Sequence, residues 1–302
     1  MYILMANVSG HSVRIKGKYL FTVKPATCFL ILFLILLAVF MSLPIVYIIV
    51  TAFKPIDELY LFPPTFFTRR PSMSNFKSLF SSLNVSDVPF LRYAYNSLLV
   101  TVLNVVGAVL ICSLGAFGMV MQRPVGSNLI FSIILAALMF PAAVTQIPNY
   151  LIVKSLGMLE SYASLIVPKL AVAFNFFLIK QFMEQIPDAY LEAARLDGAS
   201  ELKIYWKIVM PMTKPAWATL IVFSFISNWN DYLSPLLYIT NSPELKTLPL
   251  AVQMIAGGTG AAAITTAGAV AASTFIMTLP TIIVYLFAQR NVLSTMAYSG
   301  IK

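Results

Sequence analysis

EAARLDGASELKIYWKIVMPMTKP, Glu192 to Pro215, decides how the rest of the chain is read. It is a charged, punctuated stretch inside a sequence that otherwise runs from one apolar segment to the next. Just before it, Pro187 suits the first turn of a helix, where its missing N–H costs nothing, and Asp188 favours the positive helix end. Tyr190 to Leu196 then predicts a short helix, and Asp197-Gly198 a turn in which glycine takes the left-handed conformation that ends helices. Ser200 is placed to cap a second helix, with Glu201 in its first turn. Leu202, Tyr205, Trp206 and Val209 recur at i, i+3, i+4, i+7 as an apolar stripe, and Met210-Pro211 is expected to stop it. Small Ala193 and Ala194, flanked by Glu192 and Asp197, suit insertion into a protein groove. An amphipathic helix resting on the bilayer is the plainer alternative.

The surroundings are lipid-soluble. Hydrophobic residues make up 59% of the 302 and charged residues 10%, against roughly 45–50% and about 25% in soluble domains. A globular core cannot hide that excess, so lipid must solvate it. The formal charge of +9, from 20 Lys and Arg against 11 Asp and Glu, reads as membrane topology and not as nucleic-acid binding, because cytoplasmic flanks collect Lys and Arg. Cys28 and Cys112 lie in apolar stretches as core side chains. His11 is the only histidine, which excludes histidine-based metal sites and triads. No GxxxxGK[ST] run is present, so the chain itself is not expected to hydrolyse nucleotide.

Six stretches satisfy the rule of about 20 apolar residues per crossing: 27–52, 96–120, 129–153, 162–182, 216–240 and 264–288. Arg14, Lys16, Lys18 and Lys24 precede the first and place the N-terminus in the cytoplasm. That first run is too long for a signal peptide and reads as an uncleaved anchor. Six crossings return the C-terminus, with Arg290 and Lys302, to the same side, and Arg123 between spans two and three agrees. Residues 1–26 are therefore expected as a cytoplasmic tail, 27–288 as the transmembrane domain with the 183–215 loop between spans four and five, and 289–302 as a second cytoplasmic tail. Lys54 to Tyr95, containing FPPTFF and PSMSNF, is expected across the outer surface in short helices, although it carries five basic residues. Gly257, Gly258 and Gly260 read as a flexible loop. Ala267, Gly268, Ala269, Ala271, Ala272 and Ser273 permit close helix approach, within the chain or at a subunit seam.

The opening stretch resembles the EAA motif of permeases of ATP-binding-cassette (ABC) importers: EAA, three residues, G, nine residues, then I-x-L-P. Here it reads Glu192-Ala193-Ala194, Gly198, Ile208 and Met210-Pro211, with Met210 in place of leucine. Its position, the AFKP end of span one and the WNDYLSPL run resemble the second permease subunit of maltose-type carbohydrate importers. That resemblance implies an all-α integral membrane protein of six transmembrane helices with a cytoplasmic coupling helix, the type I importer permease fold. It implies coupling to an ATPase subunit through Glu192, Ala193, Ala194, Asp197, Gly198, Ile208 and Pro211. The implied partners are a second homologous permease, two ATP-binding cassette subunits and an extracytoplasmic solute-binding protein. ATP and Mg would be bound by the partners, with no cofactor in this chain, and the membrane would be the bacterial inner membrane.

Lys169 and Asp231 are ionisable and fall within the expected spans. Lys169 lies about 10 Å below the outer edge and Asp231 roughly 8 Å below it, at 1.5 Å per residue. A charge near a helix centre costs roughly 2.5–3.5 kcal/mol on insertion scales, so it faces a partner or water. The two are placed to pair across spans four and five as a register or gate. Alternatively Asn228, Trp229, Asn230 and Asp231 line the solute path. Lys169 and the external arginines suit an acidic saccharide such as a uronate oligomer, while a neutral oligosaccharide or a glycerol-phosphate substrate stays open. A self-sufficient secondary transporter would show an inverted repeat, and a membrane enzyme would need convergent acid–base groups. The sequence displays neither.

Overall fold

A computed structural model describes residues 25–59, 61–63, 65–81, 88–257 and 261–299. The basic residues Arg14 to Lys24, together with Gly258, Gly260 and Lys302, lie outside them. The chain divides into two bodies, residues 1–46 and 47–302. The described part of the first is most of α1 (Pro25–Ala52), apolar around its whole circumference as a lipid-crossing helix must be.

The second body begins with the end of α1 and two short helices, α2 (Ile56–Leu59) and α3 (Ser74–Ser81). Next come α4 (Phe90–Met121), α5 (Ser127–Ala137), α6 (Ala142–Ser155) and α7 (Tyr162–Ile166). A 3₁₀ turn at Val167–Lys169 leads to α8 (Ala173–Met183) and then to α9 (Asp188–Leu196). The rest are α10 (Glu201–Ile204), α11 (Met210–Met212), α12 (Lys214–Trp229), α13 (Leu233–Tyr238), α14 (Leu248–Ala256) and α15 (Ala261–Ser299). Among the described residues, four helical stretches are long and apolar enough to cross a membrane: Thr27–Ala52, Phe90–Met121, Tyr162–Met183 and Thr266–Gln289. Two bent pairs, α5 with α6 at 110° and Glu201–Met212 with α12 at 79°, bring the number to six if each pair is one crossing.

The breaks correct two of the expected spans. Span three is not one helix over 129–153: it stops at Ala137 and restarts after Pro141, whose extended backbone (φ −60°, ψ 142°) begins α6. Proline has no N–H for the ladder and disfavours the helical region in the residue before it. Span five does not run to 240. It ends at Trp229, and α13 starts afresh at Leu233.

α4 is the central mast, packed along α8 and α12, while α12 also packs on α15. One apolar core joins α4 to α8, α9 and the start of α12 around Cys112, Met183, Leu191, Tyr205 and Leu220. A second, towards the other end of α4, gathers Leu79, Phe90, Trp229, Leu248, Ala269 and Ala272. The small residues of span six thus pack inside this chain: Ala272 and Ser273 are fully buried.

Buried polar groups tie down the 54–75 segment. Glu58 accepts hydrogen bonds from Thr68 Oγ1 (2.9 Å) and from the backbone N–H groups of Arg69 (2.9 Å) and Arg70 (3.2 Å). Asn75 Nδ2 donates to the carbonyls of Ala52 (3.0 Å) and Lys54 (2.8 Å), which close the end of α1. Gly268 lies against that amide, and a Cβ there would stand 2.2 Å from Asn75 Oδ1. A second latch joins the α6–α7 turn to the segment after α13. Glu160 accepts from Thr240 N (2.9 Å), Thr240 Oγ1 (2.7 Å), Asn241 N (3.1 Å) and Ser242 N (3.1 Å). Desolvation pushes its carboxyl up, but the Thr240, Asn241 and Ser242 donors outweigh it and hold it at about 2.

Two outcomes follow from these anchors. Gly268→Ala should destabilise the purified protein by about 1–3 kcal/mol, as overpacking does, because Asn75 is pinned and cannot yield. Thermal unfolding in detergent would read this as a lowered midpoint. A depressed folded-state pKa contributes stability that is present above the ordinary value and lost as pH falls through the folded one. The gap in thermal stability between wild type and Glu160→Gln should therefore be full above pH 4.5 and close as pH falls towards about 2.

Candidate functional site

α9 projects two faces. Leu191 and Ala194 are buried in the first core, whereas Glu192, Ala193 and Leu196 face outward. Leu196 is 88% exposed, the most exposed large apolar side chain of this helix. Pro187 stands as the extended residue before the helix (φ −61°, ψ 133°), and Asp188 follows at the positive end. Asp188 also pairs with Arg123 Nη2 at 3.1 Å, fastening the helix to the loop after α4. Gly198 takes φ +74°, and Ala199 N–H closes back on the Ala194 carbonyl at 3.0 Å. This is the left-handed glycine stop expected from the sequence. Asp197 is the helix's closing residue and is exposed. Ser200 precedes α10 but its hydroxyl makes no cap bond. Instead Glu201 pairs with Arg195 at 3.0 Å, which holds α9 and α10 at a fixed angle.

The expected stripe and stop in the second helix are both corrected. The chain passes through a π turn at Tyr205–Val209 and continues as α11, so Pro211 lies inside a helical segment. In a π turn each N–H reaches the carbonyl five residues back, as Met210 N–H does to Tyr205, which relieves the clash a proline ring makes with an α-helical carbonyl. The buried set accordingly becomes Ile204, Tyr205 and Val209, while Leu202 and Trp206 turn outward. Ile208 is half-buried against the core and Pro211 is exposed. Tyr205 Oη and Ser113 Oγ lie 2.6 Å apart, joining this element to the middle of α4. The direction changes at Thr213, whose hydroxyl donates to the Val209 carbonyl at 2.9 Å.

A polar cluster sits where α8 and α12 face one another. Lys169 and Asp231 form an ion pair, with side chains 25% and 18% exposed. Neither residue lies in an α-helix: Lys169 ends the 3₁₀ turn after α7, and Asp231 occupies the gap between α12 and α13. Asp231 Oδ1 accepts from Leu233 N and Ser234 N, each at 3.1 Å, capping α13 while Oδ2 meets the lysine. Asn228 Oδ1 accepts from Asn104 Nδ2 at 2.9 Å, and that amide also reaches the Leu165 carbonyl at 3.1 Å. A cavity of about 220 Å³ opens beside Asn228 and Lys169, lined also by Asn175, Ser224 and Ser227.

The other two members of the Asn228–Asp231 run are placed differently. Trp229 is buried in the second core, stacked on Phe225 at 5.7 Å and donating to the Met277 carbonyl at 2.8 Å. Asn230 is exposed and bonds back to the Ile226 carbonyl. Asn104, Asn175 and Ser224 escaped the sequence reading. Their signal was a polar side chain in the middle of an apolar span, which helix packing in lipid usually absorbs.

Residues 90–294 match the family model described as a binding-protein-dependent transport system inner membrane component. Protein LplC of Bacillus subtilis (strain 168) is 32% identical over 274 residues, covering 86% of this chain and 89% of that protein. The sn-glycerol-3-phosphate transport system permease protein UgpE of Escherichia coli O1:K1 / APEC is 34% identical over 235 residues, 78% of this chain and 83% of its own length. Among solved structures, a chain of a bacterial ABC transporter involved in the import of the acidic polysaccharide alginate superposes with a TM-score of 0.75. It is 26% identical, and the match covers 87% of this chain and 96% of that one.

The ion pair makes a direct prediction. Lys169→Ala should lower stability and transport, and adding Asp231→Asn should restore part of the loss in a double-mutant cycle. The pair is partly exposed, so the single loss should stay below the ~3–5 kcal/mol of a fully buried pair. Strictly additive defects in thermal midpoint and uptake would show that the two do not act together.

Proposed function

The chain belongs to the family of binding-protein-dependent transport system inner membrane components, and from that membership we propose how it works. It is a multi-pass permease subunit of an ABC importer for carbohydrates, a transport subunit and not an enzyme. Beside it stand a second homologous permease, two ATP-binding subunits that hold ATP and Mg, and a solute-binding protein on the outer side. The N- and C-termini and α9 face the cytoplasm, in keeping with the Lys and Arg bias of the sequence.

The single observation that carries the coupling role is the outward face of α9. Glu192, Ala193 and Leu196 stand clear of the body on a helix whose other face is built into the core. Small Ala193 lets a partner's surface approach, Leu196 offers an apolar anchor, and the Arg123–Asp188 and Arg195–Glu201 pairs transmit a push instead of letting the helix swivel. The Tyr205–Ser113 contact continues that route into α4. Closure of the ATP-binding subunits moves α9 as a unit and turns the bundle outward, and hydrolysis resets it. Lys169, Asp231 and Asn228 belong to the translocation path or its gate, while Trp229 braces the helix behind them. An anionic carbohydrate fits best. Two of the similar proteins named above serve sn-glycerol-3-phosphate and an acidic polysaccharide, and Lys169 lines the cavity between α8 and α12.

The test is ATPase activity of the complete assembly with candidate binding proteins and their sugars. One loaded binding protein should stimulate it. Leu196→Asp should weaken docking of the ATP-binding subunit by about 2 kcal/mol, roughly 30-fold, as loss of an interface anchor does. Ala193→Trp should uncouple stimulation, and is a cleaner probe than Gly198→Trp because φ +74° strains any side chain there. A chain that moved solute alone without ATP would overturn the reading.

A further inference from the structure

We infer that the α8–α12 cavity of this subunit is itself a saccharide subsite, shaped for one anionic sugar ring, which takes Lys169 over from Asp231 as it binds. This rests on the carbohydrate-importer reading and says where in this chain the cargo is held.

The cavity measures about 220 Å³, smaller than the ~300 Å³ at which drug-sized ligands are held, so it holds one ring of a saccharide at a time. Its lining divides by chemistry. Phe174 and Phe223, edge to face at 5.8 Å and both exposed, offer apolar surface suited to the C–H face of a pyranose. Opposed to them are donors and acceptors. Asn175 is only 5% exposed and gives its Nδ2 to Ser224 Oγ at 3.0 Å, yet its Oδ1 has no protein partner among the described residues. Ser227 is exposed and lines the same cavity. Amide and hydroxyl groups that line a cavity are met by water or by a ligand. Sugar hydroxyls do so naturally.

Charge decides which sugar. Lys169 is the one ionisable side chain lining the cavity, and Asp231 does not line it. The pair is asymmetric in its support. Asp231 keeps two backbone N–H donors on Oδ1 when the lysine leaves. Lys169 is held by Asp231, on a flexible four-carbon stem that can swing to a new anion. A carboxylate-bearing ring therefore replaces Asp231 at the ammonium while Asp231 stays held by its two backbone donors, whereas a neutral ring leaves the ion pair shut. The same pair acts as gate and as selectivity element.

The experiment uses the complete importer assembly carrying Ser227→Cys, a one-atom exchange, in a Cys28→Ala background. The rate of labelling by a methanethiosulfonate reagent is read with trigalacturonate, trimannuronate or maltotriose present. An anionic trisaccharide should slow labelling about tenfold, the worth of one hydrogen bond to a charged group, and maltotriose should not. Lys169→Gln should abolish that difference, and Lys169→Arg should keep it. No protection by either uronate, or equal protection by maltotriose, overturns the subsite. ATPase stimulation in the same samples separates the two readings. Stimulation by a loaded binding protein without protection sinks only the subsite, while protection without stimulation sinks the importer reading and leaves the subsite standing.

Discussion

A helix interrupted at membrane depth leaves N–H and C=O groups for which lipid has no partner, and this chain interrupts its helices repeatedly. Several of the breaks are met by polar side chains. Asp231 takes the free N–H groups at the start of α13. Asn104, from the middle of α4, covers the Leu165 carbonyl just before the 3₁₀ turn. Asn96 Nδ2 donates to the Glu244 and Lys246 carbonyls at 2.8 Å each, and its Oδ1 accepts from Tyr162 Oη. α4 is thus an apolar mast with amides at intervals, and those amides decide where neighbouring helices can be broken.

The breaks have a use. A continuous helix presents only side chains to its surroundings, while an interrupted one also presents backbone and can pivot at the gap. Lys169 and Asp231 both stand at such gaps, facing each other beside the polar cavity. The bend at Thr213 separates α12 from the element that carries the π turn, so α9 connects to the base of α12 through a corner and not along a rod. In the proposed function, coupling and passage share one helix, and a displacement at one end has a physical route to the other.

The opening stretch shows how far local chemistry reaches. The α9 helix, its Pro187 entry and its Gly198 exit follow from backbone rules that act over four or five residues. The next turn does not. One residue of π geometry moved the buried set from a 3–4 spacing to Ile204, Tyr205 and Val209. The reason is tertiary: Tyr205 is drawn inward to Ser113 and Phe117, 5.4 Å away between ring centroids.

By itself the sequence determined that the chain lives in lipid, roughly where it crosses, and which short polar segment interrupts the apolar runs. Those are properties of composition and of neighbouring residues, and they hold whatever the helices pack against. It also supplied Lys169 and Asp231 as a pair, because a charge at that depth must have a partner. Tertiary structure decided which polar residues face one another and which face the core. Trp229 and Asn228 are adjacent in the chain, yet one braces α15 and the other meets Asn104 across from the cavity. Successive helix positions turn by about 100°, so only the packing of α4, α8, α12 and α15 could assign each its side.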